Sequence, residues 1–275
     1  MNVKRATQTN KILDGTNKPI IGMVHVGALP GTPNAGLSVH ELASRATEEA
    51  VILAEAGFDA IILENMHDRP YLRRHVGPEI TSAMTRIGAA VRSAVTCPIG
   101  VQILAGANRE AIAVAHVIDA QFIRAEGFVF SAVADEGFLG EAAAGPLLRY
   151  RKSINAESIA VWCDIRKKHS SHAITSDLDL PAWARAAEFC GAEAVIVTGD
   201  ATGDPVEPES LAAVRESTAL PIVVGSGARP EQLLALFEYA DAVIVGSYLK
   251  QDGKWMNRLD EKRLQSFVAA AKRAR

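Results

Sequence analysis

Short apolar runs alternate with longer amphipathic stretches along most of the chain. The runs are largely apolar along their whole length rather than alternately apolar and polar, and they are rich in Val, Ile and Ala. Such runs are typical of parallel strands that are covered by helices. Eight of them are found, at Ile20–Val24, Ala60–Leu63, Ile99–Leu104, Phe122–Ala125, Ile159–Cys163, Ala194–Val197, Ile222–Val224 and Ala242–Val245.

Stretches with the periodicity of an amphipathic helix separate these strands. Several of them follow a capping residue or end in glycine. The stretches are Val39–Ala56, Glu79–Ala94, Ala107–Ile118, Pro181–Cys190, Glu207–Glu216 and Pro230–Tyr239. Eight strands with helices between them predict an α/β fold of the (β/α)8 or TIM-barrel class. An open doubly wound sheet is the competing architecture, but it usually has a glycine-rich turn after its first strand.

The domain organisation follows from the same pattern. No linker rich in Pro, Gly or Ser divides the chain of 275 residues, which is an ordinary length for one barrel. We therefore predict one barrel over residues 19–275. Residues 1–18 have no strong pattern and are predicted to be an N-terminal arm, either mobile or lying across the bottom of the barrel.

Composition and charge exclude several classes of function. Hydrophobic residues make up 48% and charged residues 22%, which allows a large buried core. The formal net charge is −3, and no stretch except the last few residues, 272–275, concentrates Lys and Arg over several turns, which argues against nucleic acid as the main partner. No apolar window approaches the length of a membrane-spanning helix. We expect a cytoplasmic protein, with peripheral association with a membrane left open.

Metal and cysteine chemistry have only weak signals. The three cysteines show no CxxC spacing, so neither a disulfide framework nor a zinc ribbon is expected. The histidines and Asp68 are scattered, and His169-x-x-His172 has no compelling carboxylate partner. The sequence has no P-loop motif. We predict no metal and no cofactor.

Charged and polar residues gather where the predicted strands end. Barrel enzymes build their active sites from these ends and the loops that follow. A buried charge costs several kcal/mol unless it is paired, so this group forms either a layer of structural ion pairs or a ligand site. The candidates are His25, Glu64, Asn65, Arg124, Glu126, Asp164, Lys168, His169, Thr198 and Asp200.

Two glycine-serine turns follow the last two predicted strands. Barrels commonly bind phosphate at this place, because glycines let backbone N–H groups approach the phosphate oxygens. Glycines can also simply permit tight turns, but two such turns on adjacent strands favour phosphate binding. The predicted ligands are Gly225, Ser226 and Gly227 after strand 7 and Gly246 and Ser247 after strand 8, with Lys250 adding a positive charge.

These motifs resemble those of the BtpA/SgcQ family along nearly the whole chain. The matching segments are Ile21–His25, Leu29–Pro33, Ile61–Asn65, Asp68–Tyr71, Phe122–Arg124, Asp164, Lys168–His169, Val197–Gly199, Thr202–Gly203, Gly225–Gly227, Val245–Lys250 and Asp252–Gly253. The resemblance implies a ribulose-phosphate-binding-like barrel. Cyanobacterial members of that family are associated with photosystem I biogenesis, and bacterial members occur in carbohydrate-metabolism contexts. This chain departs from the family at Leu104–Asn108 and at Ala125–Gly127, on the expected substrate rim.

Two functions fit these observations. The favoured one is an enzyme that isomerises, epimerises or cleaves a phosphorylated sugar or nucleoside-like compound. Glu64 and Asp164 are the expected acid and base, and Arg124, Lys168 and His169 would stabilise negative charge. Lys168 as a Schiff-base nucleophile is a further option. The alternative is a non-catalytic biogenesis factor for a membrane complex such as photosystem I. A homo-oligomer is expected in either case.

Overall fold

Eight parallel strands pair side by side and close into a barrel. The computed structural model of the chain describes residues 12–13, 17–199 and 206–275. The strands are β1 (Ile20–His25), β2 (Ala60–Glu64), β3 (Ile99–Gln102), β4 (Phe122–Ala125), β5 (Ala160–Ile165), β6 (Ala194–Val197), β7 (Ile222–Val224) and β8 (Ala242–Val245). Each pairs with its neighbours in the sequence, and β8 pairs with β1 through the register Ile20 to Val243. The predicted TIM barrel of a single domain is confirmed.

Helices cover the outside of the barrel. They are α1 (Val39–Ala56), α2 (Pro78–Ala94), α3 (Asn108–Val117), α4 (Ala144–Ser153), α5 (Leu180–Phe189), α6 (Pro208–Ser217), α7 (Leu233–Tyr239) and α8 (Glu261–Ala274). The first shows why these boundaries arise. A capping box between Ser38 and Glu41 satisfies the first backbone N–H groups of α1, and Gly57 ends the helix at a φ of 102°.

The helices α4 and α8 were absent from the sequence prediction. Only Ala144 and Leu147 of α4 are buried, so this helix has almost no apolar stripe to detect. In contrast, α8 buries Leu264, Phe267 and Ala271, and their spacing of three and four residues is typical of an amphipathic helix.

Apolar side chains fill the inside of the barrel. Phe122 stacks on Trp162 with ring centroids 3.7 Å apart. A Cβ atom at Gly100 would lie 2.3 Å from the Phe122 ring, so this ring occupies the space that a side chain on β3 would need. Ile12 and Leu13 belong to the same interior cluster. This part of the predicted arm therefore packs against the barrel.

A small antiparallel sheet lies in the loops that follow β4 and β5. Its strands are Ala132–Ala134, Gly137–Leu139 and Ser170–Ser171, and we call it the cap sheet. Both loops leave the C-terminal ends of barrel strands, so the cap sheet lies on the side of the barrel where the predicted site residues gather. Within the described ranges, no helix combines the length and the apolar character needed to span a bilayer.

Candidate functional site

A cavity of about 770 Å³ opens at the C-terminal ends of the strands. Residues from the ends of β1 to β4, from the loop after β5 and from the turns after β7 and β8 line it. Eleven residues proposed from the sequence are among them. They are His25, Glu64, Arg124, Glu126, Lys168, His169, Gly225, Ser226, Gly227, Gly246 and Ser247.

The two-residue repeat of a strand explains why these residues meet. Alternate residues of a strand point to the same face, so a position two residues beyond an inward-facing one also faces inward. The interior cluster contains Met23, Ile62, Phe122, Trp162, Ile196, Val223 and Ile244. We take the position two residues beyond each of these, and the position two residues beyond Gly100 on β3. These eight positions form one layer. The layer is His25, Glu64, Gln102, Arg124, Asp164, Thr198, Gly225 and Gly246.

This layer combines six polar side chains with two glycines. His25 pairs with Glu64 in the register of β1 and β2, and Glu64 pairs with Gln102 in the register of β2 and β3. Gly225 and Gly246 lie on the neighbouring strands β7 and β8. Because glycine has no side chain, neighbouring side chains of the barrel pack against the backbone at both positions, and both glycines line the cavity.

Arg124 and Asp164 form a buried ion pair within the layer. Arg124 Nε lies 2.9 Å from Asp164 Oδ2, and Arg124 Nη2 lies 2.7 Å from Asp164 Oδ1. Arg124 is 5% exposed and Asp164 is 3% exposed. Arg124 Nη1 also donates a hydrogen bond to the Gly225 carbonyl oxygen at 3.3 Å. The pair therefore supports the turn after β7, and its charges largely satisfy each other.

This pairing changes the expected role of Asp164. Both of its carboxylate oxygens accept hydrogen bonds from Arg124, and Asp164 is not among the residues that line the cavity. From the sequence, we expected Asp164 to be the partner of Glu64 in proton transfer. Glu126, unlike Asp164, lines the cavity together with Glu64.

Glu126 and Glu64 are buried carboxyl groups at the cavity wall. Burial raises the pKa of Glu126 to about 7, although the Lys167 ammonium opposes this change. Burial also raises the pKa of Glu64 above its ordinary value, against the charges of Arg124 and Lys168. A carboxyl group with a pKa near neutral pH is well suited to give and take protons.

The hydrogen bonding of Glu126 is incomplete. Gln102 Nε2 lies 3.5 Å from Glu126 Oε1, at the limit of a hydrogen bond. Glu126 Oε2 and Gln102 Oε1 are buried and have no partner among the residues that the structure describes. Buried polar atoms of this kind are rare in folded proteins and are expected at functional sites.

The raised pKa of Glu126 predicts a specific dependence of stability on pH. Folding raises this pKa from 4.5 to about 7, so the buried acid is favourable below pH 4.5 and its contribution is lost as the pH rises through 7. Glu126→Gln keeps the shape but cannot ionise. In urea unfolding, we expect the variant to gain stability relative to the wild type from pH 5 to pH 8, by up to about 3 kcal/mol. A difference that stays constant with pH would contradict the assignment.

His25 is a neutral hydrogen-bond acceptor in this site. Its Nδ1 lies 3.2 Å from the Trp255 carbonyl oxygen, which can only accept, so Nδ1 carries the proton and Nε2 has the free lone pair. Burial, followed by the charge of Lys250, lowers the pKa of His25 to about 3. Nε2 lies 3.7 Å from Glu64 Oε2. At neutral pH His25 therefore supplies no positive charge for an anion.

The two glycine-serine turns are packed closely against other parts of the layer. A Cβ atom at Gly225 would lie 2.3 Å from Ile196 Cγ2, and one at Gly246 would lie 2.9 Å from His25 Cε1. The backbone thus needs glycine at both positions for close approach. Gly227 has a φ of 75°, where glycine is also favoured.

Besides Asp164, three residues proposed from the sequence do not line the cavity. Lys250 Nζ lies 2.7 Å from both carboxylate oxygens of Glu49, and this lysine is 1% exposed. It links the region after β8 to α1 and does not reach a ligand of the two turns. Asn65 accepts from Leu104 N and donates to Asp68, so it fixes loops. Thr198 is half-buried outside the lining, and Asp200 lies outside the described residues.

Other lining residues were missed. Gln102 is a polar residue inside an apolar run, and its register with Glu64 could have identified it. Trp255 gave no sequence signal because it lies in a loop after β8. Its ring lies 4.9 Å from the Arg69 guanidinium and packs edge-on against His25 and His67. The Trp255 loop therefore forms one wall of the cavity.

Comparison with known proteins agrees with this architecture. A sequence model of the BtpA family matches residues 16–273. The chain belongs to the BtpA family. An uncharacterized mitochondrial protein of Caenorhabditis elegans is 43% identical over 94% of this BtpA-family chain and 95% of its own length. The photosystem I biogenesis protein BtpA of Synechocystis is 34% identical over 93% of this chain and 88% of its own length.

A solved structure shows the same fold as this BtpA-family protein. It is the (S)-3-O-geranylgeranylglyceryl phosphate synthase of Thermoplasma acidophilum in complex with its substrate sn-glycerol-1-phosphate. The match has a TM-score of 0.60 and a sequence identity of 17%, and covers 97% of this chain and 99% of the synthase chain. At this identity the likeness establishes the fold alone.

Proposed function

We propose that this BtpA-family protein is an enzyme acting on a phosphorylated small molecule, either a sugar or a nucleoside-like compound. One observation carries the proposal. The turns at Gly225–Gly227 and Gly246–Ser247 line the same cavity as Glu64 and Glu126. A phosphate held at these turns would place the rest of its molecule within the cavity, next to two carboxyl groups with raised pKa values.

The ionisable side chains around the cavity have different roles in this proposal. Glu64 and Glu126 would move protons between substrate atoms, as isomerases, epimerases and lyases require. Lys168 would stabilise negative charge that develops on a substrate oxygen. Arg124 would act indirectly, since its hydrogen bond to the Gly225 carbonyl oxygen holds the turn in place.

The structural neighbour supports a phosphorylated substrate in general. The synthase from Thermoplasma acidophilum binds sn-glycerol-1-phosphate on a barrel of the same fold. Many barrels place phosphate at the turns after their last two strands. Both arguments favour a phosphate ester, and neither one selects a particular substrate.

Isothermal titration with inorganic phosphate and with sn-glycerol 1-phosphate tests the anchor. Ser247 is half-buried in the cavity wall, so Ser247→Asp would bring a carboxylate next to the bound phosphate. We expect this variant to bind phosphate at least about ten-fold more weakly, which corresponds to about 1.4 kcal/mol.

The matched control is Ser82→Asp. Ser82 is exposed near the N-terminus of α2, where a negative charge is tolerated, and we expect wild-type affinity. Failure of the wild-type protein to bind either compound at millimolar concentration would overturn the proposal. An equal loss of affinity in both variants would also count against it.

A second function, assembly of a membrane complex, is favoured by one observation. Val133 and Phe138 are cross-strand partners on the cap sheet and are 43% and 53% exposed. An exposed apolar pair of this kind suits contact with another protein. A purely structural role would tolerate Glu64→Gln, whereas the proposed enzyme would lose its activity.

A further inference from the structure

Two consecutive lysines after β5 have contrasting surroundings. Lys167 Nζ lies 2.9 Å from Glu136 Oε1, on the cap sheet side of the cavity. Lys168 also lines the cavity, but its Nζ has no hydrogen bond or salt bridge within the residues that the structure describes. One paired amine and one amine without a partner among the described residues therefore lie at the same opening.

Charged groups from several elements face Lys168. Arg124 on β4 is positive, and Asp164 on β5 is already paired with it. The remaining carboxyl groups are Glu64 at the end of β2 and Glu126 just after β4. Both of these are buried acids that line the cavity. Lys168 thus shares the cavity with two buried carboxyl groups that could move protons.

The pKa values of the two lysines are shifted in opposite directions. Burial, followed by the charge of Arg124, lowers the pKa of Lys168. Burial also acts on Lys167, but the carboxylates of Glu126 and Glu136 raise its pKa overall. At neutral pH, the fraction of neutral amine is therefore larger for Lys168 than for Lys167. Only the neutral amine is a nucleophile.

We propose that Lys168 is a catalytic nucleophile that forms an imine with its substrate, and that the substrate class is phosphorylated aldehydes and ketones. This inference rests on the proposed function, because the phosphate held at the turns after β7 and β8 would bring the carbonyl carbon to Lys168. It narrows the substrate from any phosphate ester to one that carries a carbonyl group.

The chemical step balances without an oxidant or a reductant. The lone pair of the Lys168 nitrogen attacks the carbonyl carbon, and the π electrons of the carbonyl move onto its oxygen. One N–H proton then moves to that oxygen, which gives a carbinolamine. Protonation of the hydroxyl by the Glu126 carboxyl group releases water and leaves a protonated imine and a Glu126 carboxylate. The imine withdraws electrons from the neighbouring carbon, which assists isomerisation or C–C cleavage.

Reductive trapping tests this step. The wild-type protein is incubated with sodium cyanoborohydride and either dihydroxyacetone phosphate, glyceraldehyde 3-phosphate or ribose 5-phosphate. We expect a covalent adduct with at least one of them, detected by intact mass and mapped by peptide analysis to Lys168. sn-Glycerol 1-phosphate has no carbonyl group and is expected to give none.

Three variants test whether trapping requires an imine at Lys168 or only its positive charge. Lys168→Met is expected to reduce trapping at least about ten-fold, and Lys167→Met is the matched control that keeps it. Lys168→Arg preserves the positive charge but cannot form an imine, so it is also expected to lose trapping. Circular dichroism shows whether each variant is folded. Trapping that persists in Lys168→Arg would overturn the inference.

Inorganic phosphate distinguishes failure of this inference from failure of the proposed function. If phosphate binds but none of the three carbonyl compounds is trapped, the inference of an imine is wrong and the proposed phosphate site still stands. If Lys168 is trapped and excess phosphate does not slow the reaction, the imine is supported and the phosphate anchor is contradicted. The expected result is trapping at Lys168 that phosphate suppresses.

Discussion

Asp164→Ala is expected to lower the free energy of unfolding by about 3–5 kcal/mol, because it leaves the Arg124 guanidinium buried without its partner. Arg124 is 5% exposed and makes two hydrogen bonds to Asp164, so few water molecules can replace the lost carboxylate. Urea unfolding monitored by circular dichroism measures the change. The carbonyl oxygen of Gly225 would be the main remaining acceptor for Arg124.

An exposed ion pair supplies the control for this experiment. Lys152 pairs with Glu157, and the Lys152 side chain is 71% exposed. We expect Lys152→Ala to cost less than about 1 kcal/mol, since exposed pairs are worth little. If Asp164→Ala costs no more than Lys152→Ala, the buried ion pair does not support the barrel in the way that its geometry indicates.

Gly225→Ala is expected to impair both stability and phosphate binding. The new Cβ atom would lie 2.3 Å from Ile196 Cγ2 and 3.2 Å from Arg124 Nη2, so the turn must move. Overpacking of this kind costs about 1–3 kcal/mol. Loss of two charge-assisted hydrogen bonds from the displaced backbone would weaken phosphate binding by about a hundred-fold or more. Thermal unfolding and isothermal titration measure the two effects.

Gly36→Ala is the matched glycine control. A Cβ atom at Gly36 would have no atom within 4 Å, so we expect wild-type stability and wild-type affinity. Wild-type phosphate affinity in Gly225→Ala would show that the turn after β7 does not hold the anion, whatever the change in stability.

The barrel was predictable because local patterns determine it. The bounds of β4, β6, β7 and β8 are those predicted, since each is a short run made up mainly of apolar residues. The cap sheet was not predictable in this way. Its strands are two or three residues long and one of them is Ser170–Ser171, which has no apolar signal.

For the candidate site, the sequence could predict only which residues lie at the ends of the strands. Sequence patterns located Glu64, Glu126 and both glycine-serine turns at the cavity. They could not show that Arg124 pairs with Asp164, 40 positions away, or that Lys250 pairs with Glu49, 201 positions away. Such pairings depend on the closed barrel and on the way α1 packs, so the roles of Asp164 and Lys250 required the structure.

Several expectations from the sequence stay predictions. These are the cytoplasmic location, the homo-oligomer and the absence of a bound metal or cofactor. The relative from Caenorhabditis elegans is named as a mitochondrial protein, which leaves the location of this chain open.

The central claim is that the turns after β7 and β8 together hold a phosphate above the polar layer. Crystals of the wild type and of Gly225→Ala, grown from the same phosphate solution, test it most directly. We predict tetrahedral density between Gly227 and Ser247 in the wild type, within hydrogen-bond distance of both backbone N–H groups, and none there in the variant. Phosphate that is absent from this place in the wild type, or bound equally in both proteins, would contradict the account.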